Sequence, residues 1–423
     1  MSSHDKTGLR PPPLRDDCFA LPAGVEWTPV DVALDALRAG LHPVVSEELV
    51  DLTSGAGRVL ARDLTARRAH PPTANSAVDG YALAHASAGE GEQILPLTPG
   101  RAAAGAGFDG VVPPGHAVRI LTGAPMPEGT DSVILQEDVS TDSGNIAFRG
   151  PIKQGANRRK AGEDVQEGDV ILHAGRRLTP ADLALCAATG IDRLSVYRSL
   201  SVSVLSTGDE LAEPGASIGK DRIYDANRPM LSALIEQFGY RTQDGGRVAD
   251  NREALRMALD QAAAVSDVIL TSGGASSGDE DHVSALLNET GSMQNWRLAV
   301  KPGRPLALGL WQGKPVFGLP GNPVAAMVCT LIFARPAMAL LSGEHWREPD
   351  HIMVPAAFSK CKKPGRREYL RARMRGGQAE VFPSEGSGRI SGLSWAEGLV
   401  ELPDGALDIA PGDLVRYLPF SAF

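Results

Sequence analysis

Cysteines are few in this sequence, and no two of them lie close together. The 423-residue chain has only Cys18, Cys186, Cys329 and Cys361. Because no C-x-x-C pair occurs, the spacing predicts neither a disulfide framework nor a zinc ribbon. It favours a protein of a reducing compartment.

Long apolar runs are also missing. The first 17 residues lack the apolar centre of a signal peptide. The longest apolar stretch, 324–334, is far shorter than the roughly 20 residues that cross a bilayer. These absences predict a cytoplasmic protein that does not act at a membrane.

The chain has no excess of positive charge. It has 42 Lys and Arg against 51 Asp and Glu, a formal charge of −9. This argues against a general nucleic-acid binder, since such binding depends on neutralising phosphates. One basic cluster stands apart: Lys360, Lys362, Lys363, Arg366, Arg367, Arg371, Arg373 and Arg375. Only 5% of the residues are aromatic and no aromatic ladder accompanies the cluster, so it fits a rim that attracts a small anion.

Turn-forming residues are abundant instead, with 47 glycines and 31 prolines, well above the usual share of about 12%. Their distribution divides the chain. Residues 30–65 have helical spacing, and short β-type runs with one helix near 180–190 extend to about 196. The expected divisions are a flexible tail at 1–26, a β-rich part from about 71 to 196, an α/β domain at 198–345 and a small β domain from about 350 to the end.

Strand and helix patterns alternate between 198 and 345, which predicts a mostly parallel, doubly wound α/β sheet. Asp225 or Asn227, Asp250 or Asn251, and Asn322 are the expected helix caps. A later strand would carry Arg297 and Lys301 on one face, because they are four positions apart.

Small and polar residues follow three of these strands, at 206–210, 271–282 and 318–323. The carboxyl ends of parallel strands meet at one edge of a sheet, where ligands bind. Glycine allows close backbone approach, and hydroxyls with free N–H groups favour an anion. None of the loops is a Walker A or G-x-G-x-x-G sequence, so a standard nucleotide-binding fold is not indicated.

The same edge is rich in carboxylates, namely Asp209, Glu210, Asp225, Asp279, Glu280 and Asp281. They would repel a bound anion unless a cation mediates, and oxygen ligands beside phosphate suit Mg²⁺. Some of them also fit as helix caps, Asp225 and Asp279 above all. The basic residues Arg297, Lys301 and Arg304 fit equally a solvated strand edge or a pocket for an oxyanion.

Two further segments lie in the N-terminal half, at 71–83 and 158–165. From their residues alone, Asp79-Gly80 and 162–164 are typical of turns.

Together these motifs resemble the molybdopterin molybdenumtransferases, the family of MoeA and the gephyrin E domain, over about residues 27–420. The matching stretches are NSAVDGYAL (75–83), RILTGAPMP (119–127), GEDV (162–165), STGDEL (206–211), YDANRPML (224–231), TSGGASSGDEDH (271–282), LAVKPGRP (298–305) and GLPGNPVA (318–325). Val78 replaces the usual Met, and His282 departs from the common residue. Arg297 and Arg304 replace lysines, which keeps the charge and changes the hydrogen-bond geometry.

The resemblance implies a multidomain α/β plus all-β fold. A doubly wound, molybdopterin-binding-like α/β domain would accompany β-rich N-terminal domains and a small C-terminal β-barrel-like domain. It also implies an elongated homodimer, with 27–70 and 151–197 as the N-terminal dimerisation domain and 71–83 as an active-site loop. The resemblance makes 84–150 an inserted β domain, 198–345 the molybdopterin-binding domain and 346–423 the C-terminal β domain. The partner's N-terminal domain would close the cleft.

The resemblance further assigns roles to residues. It makes Asp79, Asp164, Glu210 and Asp281 catalytic, with Glu210 and Asp281 as Mg²⁺ ligands. The implied substrate-binding residues are Ser206, Thr207, Gly208, Asp209, Ser272, Gly273, Gly274, Ser276, Gly278, Lys301, Pro302, Gly303, Arg304, Pro320, Gly321, Asn322, Arg371 and Ser387.

The implied reaction inserts molybdate into adenylylated molybdopterin, releasing AMP and forming molybdenum cofactor. Possible partners are a molybdopterin adenylyltransferase and apo-molybdoenzymes or their chaperones, with no nucleic acid and no membrane. The alternatives are a molybdopterin adenylyltransferase, whose single domain resembles 198–345, and a non-catalytic molybdopterin-binding scaffold.

Overall fold

The computed structural model describes residues 27–273, 282–289, 294–303, 305–386 and 388–423. They form two compact units. The first, which we call the α/β unit, comprises the described residues up to Val44, Ser199–Leu341 and Trp346–Phe423. The second, the β unit, comprises Val45–Arg198 and Ser342–His345.

Within the described residues, the α-helices are α1 (Val30–Gly40), α2 (Pro180–Ala188), α3 (Asn227–Gln237), α4 (Arg252–Val265), α5 (His282–Glu289), α6 (Pro323–Cys329), α7 (Arg335–Leu341) and α8 (Ser391–Trp395). The strands of the β unit are β1 (Glu47–Asp51), β2 (Leu64–Thr65), β3 (Asn75–Ser76), β4 (Gly80–Leu83), β5 (Gly91–Ala102), β6 (Ala117–Ile120), β7 (Ser132–Leu135), β8 (Ser140–Thr141), β9 (Asn145–Gly150), β10 (Arg158–Arg159), β11 (Val170–Leu172) and β12 (Arg193–Tyr197).

The strands of the α/β unit follow in chain order. They are β13 (Ser201–Thr207), β14 (Leu211–Ala212), β15 (Ile223–Tyr224), β16 (Arg241–Val248), β17 (Val268–Ser272), β18 (Gln294–Arg297), β19 (Val300–Lys301), β20 (Pro305–Trp311), β21 (Lys314–Leu319), β22 (Ile352–Pro355), β23 (Lys360–Lys362), β24 (Arg367–Arg375), β25 (Gln378–Val381), β26 (Gly398–Leu402), β27 (Leu407–Ile409) and β28 (Leu414–Pro419).

The β unit is built on a six-stranded sheet in the order β7-β4-β6-β5-β9-β8. Its strands bury both faces, since Ala82 packs in one apolar cluster and the next residue, Leu83, in another. Strand pairs β1–β12, β2–β11 and β3–β10 build the remainder. Helix α2 lies at the expected 180–190 position, and Thr179 and Asp182 form a capping box at its start.

The helical prediction for residues 30–65 is wrong beyond Gly40. Helix α1 ends there, and the chain then forms β1, which pairs with β12. Pro43 cannot continue a helix, and Gly55 and Gly57 interrupt the later apolar residues. Leu49 is therefore a strand residue, and it is exposed.

The α/β unit contains the predicted doubly wound sheet, in the order β16-β13-β17-β21-β20-β18. The first four strands run parallel, and β20 and β18 are antiparallel additions. The strand β13 is buried at every residue, as expected for a sheet covered on both faces. A second sheet, β19-β24-β26-β28-β22 with β25 on β24, forms the C-terminal part.

The prediction that Arg297 and Lys301 share one strand is also wrong. Arg297 ends β18 in the first sheet, whereas Lys301 lies in β19, which pairs with β24 of the second. The chain therefore passes between two sheets within these four residues.

Of the helices in the described residues, the continuous run Pro323–Leu341, from α6 through a π-helical turn to α7, is long and apolar enough to span a membrane. However, 89% of its apolar stretch is buried inside the protein, which is typical of a core helix.

Candidate functional site

Three strands end side by side at one edge of the α/β sheet. In the parallel register, Ser206 of β13 lies opposite Ser272 of β17, and Ser272 lies opposite Leu319 of β21. The loops that follow these strands therefore start from adjacent positions, as the sequence pattern predicts. We call this arrangement the loop edge.

Glycines let the loops approach one another. Gly273 has a φ of +94°, and a Cβ there would lie 2.6 Å from the Thr207 carbonyl oxygen. A Cβ on Gly321 would lie 3.8 Å from the Cα of Gly273. The Gly273 position thus excludes any side chain, and its backbone N–H bonds to the Leu319 carbonyl at 3.1 Å.

Asn227 joins the loops, a role that the sequence analysis missed. Its Nδ2 donates to the Ser272 Oγ at 2.6 Å and to the Gly321 carbonyl at 2.7 Å. Asp225, not Asn227, supports the start of α3, because its Oδ1 accepts from the backbone N–H groups of Asn227 and Arg228. The motif YDANRPML contains two candidate caps, Asp225 and Asn227. Because Asp225 alone is enough to cap the helix, the sequence could have indicated a different role for Asn227.

Three polar atoms at the loop edge lack a hydrogen-bond partner among the described residues. They are the Oδ1 of Asn227, the Oγ of Ser206 and the Oγ1 of Thr271, and all three are buried. Buried polar atoms without a partner are rare in native proteins and are commonly satisfied by a water, an ion or another bound group. These atoms have hydrogen-bonding capacity that a ligand at the loop edge could use.

The carboxylates of the loop edge differ in their hydrogen bonds, ion pairs and exposure to solvent. Asp209 accepts from the Asp250 N–H at 3.1 Å, and the buried Asp225 is paired with Arg228 at 3.2 Å. Glu210 is exposed, and its carboxylate lies over Gly208, where a Cβ would be 2.5 Å from Oε2. Six predicted residues lie outside the described ones: Gly274, Ser276, Gly278, Asp281, Arg304 and Ser387.

The described residues are compatible with one way of binding Mg²⁺, in which a carboxylate acts together with water and substrate phosphates. They contain no group of three or more His, Cys, Asp or Glu side chains that could hold a metal ion. Mg²⁺ commonly keeps several waters and is bound by one or two carboxylates together with substrate phosphates. Glu210, exposed beside the glycine loops, can serve as such a carboxylate.

A cavity of about 160 Å³ lies beside α6, which begins directly after the third loop. We call it the cationic cavity. Lys301, Pro302, Lys360 and Arg371 line it, with Val324 of α6. Other lining residues are Phe358, Ser359, Tyr369, Leu370, Val381, Phe382, Pro383, Ser384 and Glu385.

Two glutamates neutralise the lysines of the cationic cavity. Lys301 Nζ lies 2.6 Å from Glu385 Oε2 and 3.5 Å from Glu368 Oε1. Lys360 bonds to Glu385 and lies 3.1 Å from Glu368 Oε2. Burial raises the pKa of Glu385, but the hydrogen bonds from both lysines outweigh it and lower that pKa overall. Burial lowers the pKa of Lys360, and its two glutamate partners more than reverse this.

Arg371 lines the cationic cavity and also supports the adjoining loop. Its guanidinium donates to the carbonyls of Ser384 at 2.5 Å, Gly386 at 3.1 Å and Arg389 at 2.5 Å. It also lies 4.9 Å from the centre of the Phe382 ring. The side chain is buried, so Arg371 fixes the loop that carries Glu385.

Two segments adjoin α6: one contains Pro302 and Gly303 and follows β19, and the other contains Pro320 and Asn322 and precedes the helix. Gly303 has a φ of +111°, and a Cβ there would lie 2.7 Å from Cys329 Sγ in α6. Asn322 caps α6 by accepting from the N–H groups of Val324 and Ala325, as predicted. The cationic cavity and the loop edge are therefore attached to the same helix.

Asp79 and Asp164 lie in the β unit, on adjacent segments. Strand β3 pairs with β10, and Asp164 N–H bonds to the His70 carbonyl at 3.2 Å. Asp79 Oδ1 accepts from the Thr122 N–H at 2.6 Å and its hydroxyl at 2.7 Å, which lowers the pKa of Asp79. The predicted turn at Gly80 is instead the first residue of β4, whereas Gly162, with a φ of +64°, does form a turn.

Sequence profiles of three families match the chain in order. They are the MoeA N-terminal region, domains I and II, over 28–190, a probable molybdopterin-binding domain over 203–340, and the MoeA C-terminal region, domain IV, over 354–420.

Relatives and solved structures agree with these profiles. A molybdopterin molybdenumtransferase of Haemophilus influenzae is 37% identical over 88% of this chain and 94% of its own length. Molybdopterin molybdenumtransferase 2 of Mycobacterium tuberculosis is 33% identical over 86% and 92%. A crystal structure of the molybdopterin biosynthesis MoeA protein of Pyrococcus horikoshii has a TM-score of 0.82 at 27% identity, covering 93% of this chain and 100% of that one. The chain belongs to the molybdopterin molybdenumtransferase family.

Proposed function

We propose that this protein inserts molybdate into adenylylated molybdopterin, releasing AMP and forming molybdenum cofactor. The single observation that carries the proposal is the attachment of the loop edge and the cationic cavity to one helix, α6. A phosphate-bearing ligand and a molybdate dianion could thus be held next to each other. This is the arrangement that metal transfer to a pterin requires.

The loop edge would hold the pterin and its phosphate. The hydroxyls of Ser206, Thr207 and Ser272 and the backbone beside Gly208 and Gly273 supply donors. Asn227 supports this proposal by fixing Ser272 and the Gly321 carbonyl. Pro320, Gly321 and Asn322 complete the third loop. The family resemblance adds Gly274, Ser276 and Gly278.

Cleavage of the phosphoanhydride would use carboxylates. Glu210 and Asp281 would hold Mg²⁺, which would offset the negative charge of the phosphates when bound. Asp79 and Asp164 of the partner subunit would orient the attacking water. The hydroxyl and the N–H of Thr122 fix the Asp79 carboxylate and lower its pKa, which suits a residue that orients the water through a hydrogen bond.

The cationic cavity would hold molybdate. Lys301 supplies a positive charge, and Arg371 keeps the adjoining loop in place. The resemblance adds Arg304 and Ser387. The same proposal includes a homodimer in the cytoplasm that receives its substrate from a molybdopterin adenylyltransferase and passes its product to apo-molybdoenzymes or their chaperones.

The decisive experiment measures AMP release from adenylylated molybdopterin with Mg²⁺, with and without molybdate. Molybdate-dependent release, with a product that activates an apo-molybdoenzyme, is expected. A folded protein that releases no AMP would contradict the proposal and favour a binding role. Formation of adenylylated pterin from ATP would favour the adenylyltransferase instead.

The partner's contribution is tested with mixed dimers. Asp79→Asn and Asp281→Asn homodimers should both be inactive. Mixing the two variants should restore about a quarter to a half of the activity, because one of the two sites in a mixed dimer has neither substitution. No recovery after verified subunit exchange would place both carboxylates in one chain's site.

A further inference from the structure

The cationic cavity already contains an anion, the side chain of Glu385. Its carboxylate accepts from both lysines that face the cavity, Lys301 at 2.6 Å and Lys360. Any oxyanion that binds these two ammonium groups must compete with it. We propose that Glu385 is an internal competitor that sets the affinity of the cavity for molybdate, and that Lys360 is a binding residue for that oxyanion. This inference rests on the proposed function.

The two glutamates of the cavity differ in how easily they can leave. Glu368 lies within β24, directly opposite Lys301 of β19, and its side chain is only 9% exposed. Removing it from its lysines would leave a buried charge without compensation. Glu368 is therefore a fixed partner of the lysines.

Glu385 has the opposite properties. Its side chain is 44% exposed, and it lies in a loop that has no strand pairing at this position. Rotation of this side chain into solvent would expose a hydrated carboxylate and leave the backbone loop in place. Because Arg371 holds the loop through the carbonyls of Ser384 and Gly386, the exchange needs only a side-chain movement.

The charges favour a dianion over the resident carboxylate. Lys301 and Lys360 contribute two positive charges, of which Glu368 offsets one. With Glu385 in place the group of four is neutral. When Glu385 turns away, the other three side chains leave one net positive charge for the incoming anion, and a dianion gains more from it than a monoanion does. Arg371, whose hydrogen-bond partners are uncharged carbonyls, adds a further positive charge to the lining. Displacing Glu385 costs every anion the same, so a singly charged anion such as chloride, which gains less from these cations, keeps less net affinity.

The position of Lys360 supports its assignment as a binding residue for the oxyanion. Its side chain is only 11% exposed, and it shares both glutamates with Lys301. Strand β23 positions it from a different part of the chain than β19. Two ammonium groups that already bind one carboxylate between them can bind two oxygens of a tetrahedral oxyanion.

The experiment measures molybdate binding to the full chain by isothermal titration calorimetry, without pterin. Glu385→Gln should bind molybdate about tenfold more tightly than the unchanged protein, because it removes the competing charge and keeps the side-chain shape. Glu380→Gln is the matched control. It removes the same charge from β25, the strand before the loop that carries Glu385, but Glu380 pairs with Arg373 at 3.0 Å and does not line the cavity. Its affinity should not change.

Lys360→Gln provides a second, independent test and should weaken binding about tenfold or more. If molybdate binds the unchanged protein and Glu385→Gln does not tighten that binding, the competitor role is wrong. If Lys360→Gln binds molybdate normally, its binding role is wrong. Absence of AMP release and of molybdate binding in both the unchanged protein and Glu385→Gln would instead overturn the proposed function, and this inference with it. Tightening in Glu385→Gln and in Glu380→Gln alike would indicate a general charge effect and also overturn the inference.

Discussion

The side-chain amide of Asn227 donates a hydrogen bond to the Ser272 hydroxyl across 2.6 Å, and the same nitrogen reaches the Gly321 carbonyl at 2.7 Å. One residue at the start of α3 thus fixes the end of β17 and the loop that follows β21. Loops that bind phosphate are effective only when their donors are held in place before the ligand arrives. Asn227 provides this support for the loop edge.

Replacing Asn227 by alanine should therefore affect both folding and catalysis. Loss of two buried hydrogen bonds should lower the free energy of unfolding by about 1–3 kcal/mol. The value of kcat/KM for AMP release should fall by about tenfold or more at temperatures where the variant is folded. Urea unfolding and steady-state kinetics measure the two effects.

Asn288→Ala is the control for this substitution, since Asn288 is exposed on α5 of the same unit. Its unfolding free energy should stay within about 0.5 kcal/mol of the original. Normal kinetics in folded Asn227→Ala would show that the loop edge does not need this amide.

Gly80 should tolerate no side chain. It lies in β4 between β6 and β7, and a Cβ there would be 1.9 Å from the Ile134 carbonyl oxygen. Gly80→Ala should therefore destabilise the β unit by about 3 kcal/mol or more. Gly144→Ala, where nothing lies within 4 Å of the added Cβ, should change stability by less than about 1 kcal/mol. Equal melting temperatures for the two variants would contradict this account of the sheet.

This glycine also shows what sequence could and could not predict. Asp79-Gly80 has the composition of a turn, and only the flanking strands, which are distant in sequence, force Gly80 into a sheet. By contrast, local signals located the helix starts correctly, because Asn251 and Asn322 bond to N–H groups two or three residues further along. The alternation of strands and helices likewise predicted the parallel sheet and its loop edge.

Contacts between residues that are far apart in the sequence account for the site features that the sequence did not predict. Glu385 does not belong to any sequence motif that we recognised. Its position between Lys301 and Lys360 depends on two strands and a loop from separate parts of the chain. The same holds for Arg371, which belongs to the basic cluster that was predicted to form a rim for a small anion. Its burial and three carbonyl partners could be known only from the fold.

The pKa of Asp79 should depend on Thr122. The hydroxyl and the N–H of Thr122 hold this pKa below its ordinary value of 3.8. Thr122→Val removes the hydroxyl and should raise the pKa toward 3.8, whereas Thr122→Ser should leave it low. Carboxyl NMR titration measures the change.

The direction of the pKa shift of Asp79 determines how its contribution to the stability of the fold depends on pH. A lowered pKa means that ionised Asp79 stabilises the fold above its unfolded-state pKa, and that this contribution is lost as the pH falls through the folded-state value. The loss in the unchanged protein thus occurs below pH 3.8, and Thr122→Val should show less of it. An unaltered titration in Thr122→Val would assign the shift to the backbone N–H alone.

Removal of Mg²⁺ should abolish the activity without changing the thermal stability. Glu210 is exposed, and the described residues contain no metal-binding cluster that holds the fold together. Excess EDTA should therefore abolish AMP release and leave the melting temperature unchanged. Glu210→Gln should raise the Mg²⁺ concentration needed for half-maximal rate, while Glu213→Gln, whose partner Arg228 keeps two other carboxylates, should not. Full activity in EDTA would exclude a role for the ion.

Arg371→Lys should loosen the loop that carries Glu385. A single ammonium group cannot reach the carbonyls of Ser384, Gly386 and Arg389 together, nor stack on Phe382 as a planar guanidinium does. The free energy of unfolding should fall by about 2 kcal/mol, because hydrogen bonds to a charged group are among the stronger ones.

Trypsin provides a local readout of the same change, since Arg389 is itself a cleavage site. Cleavage after Arg389 should be faster in Arg371→Lys than in the unchanged protein, because opening of the loop needs fewer bonds to break. Arg373→Lys is the control, as Arg373 pairs with the partly exposed Glu380 and holds none of these carbonyls. If both variants are cleaved after Arg389 at the original rate, Arg371 does not hold the loop. Faster cleavage in Arg371→Lys alone would identify this arginine as the support that lets the Glu385 side chain exchange while its backbone stays in place.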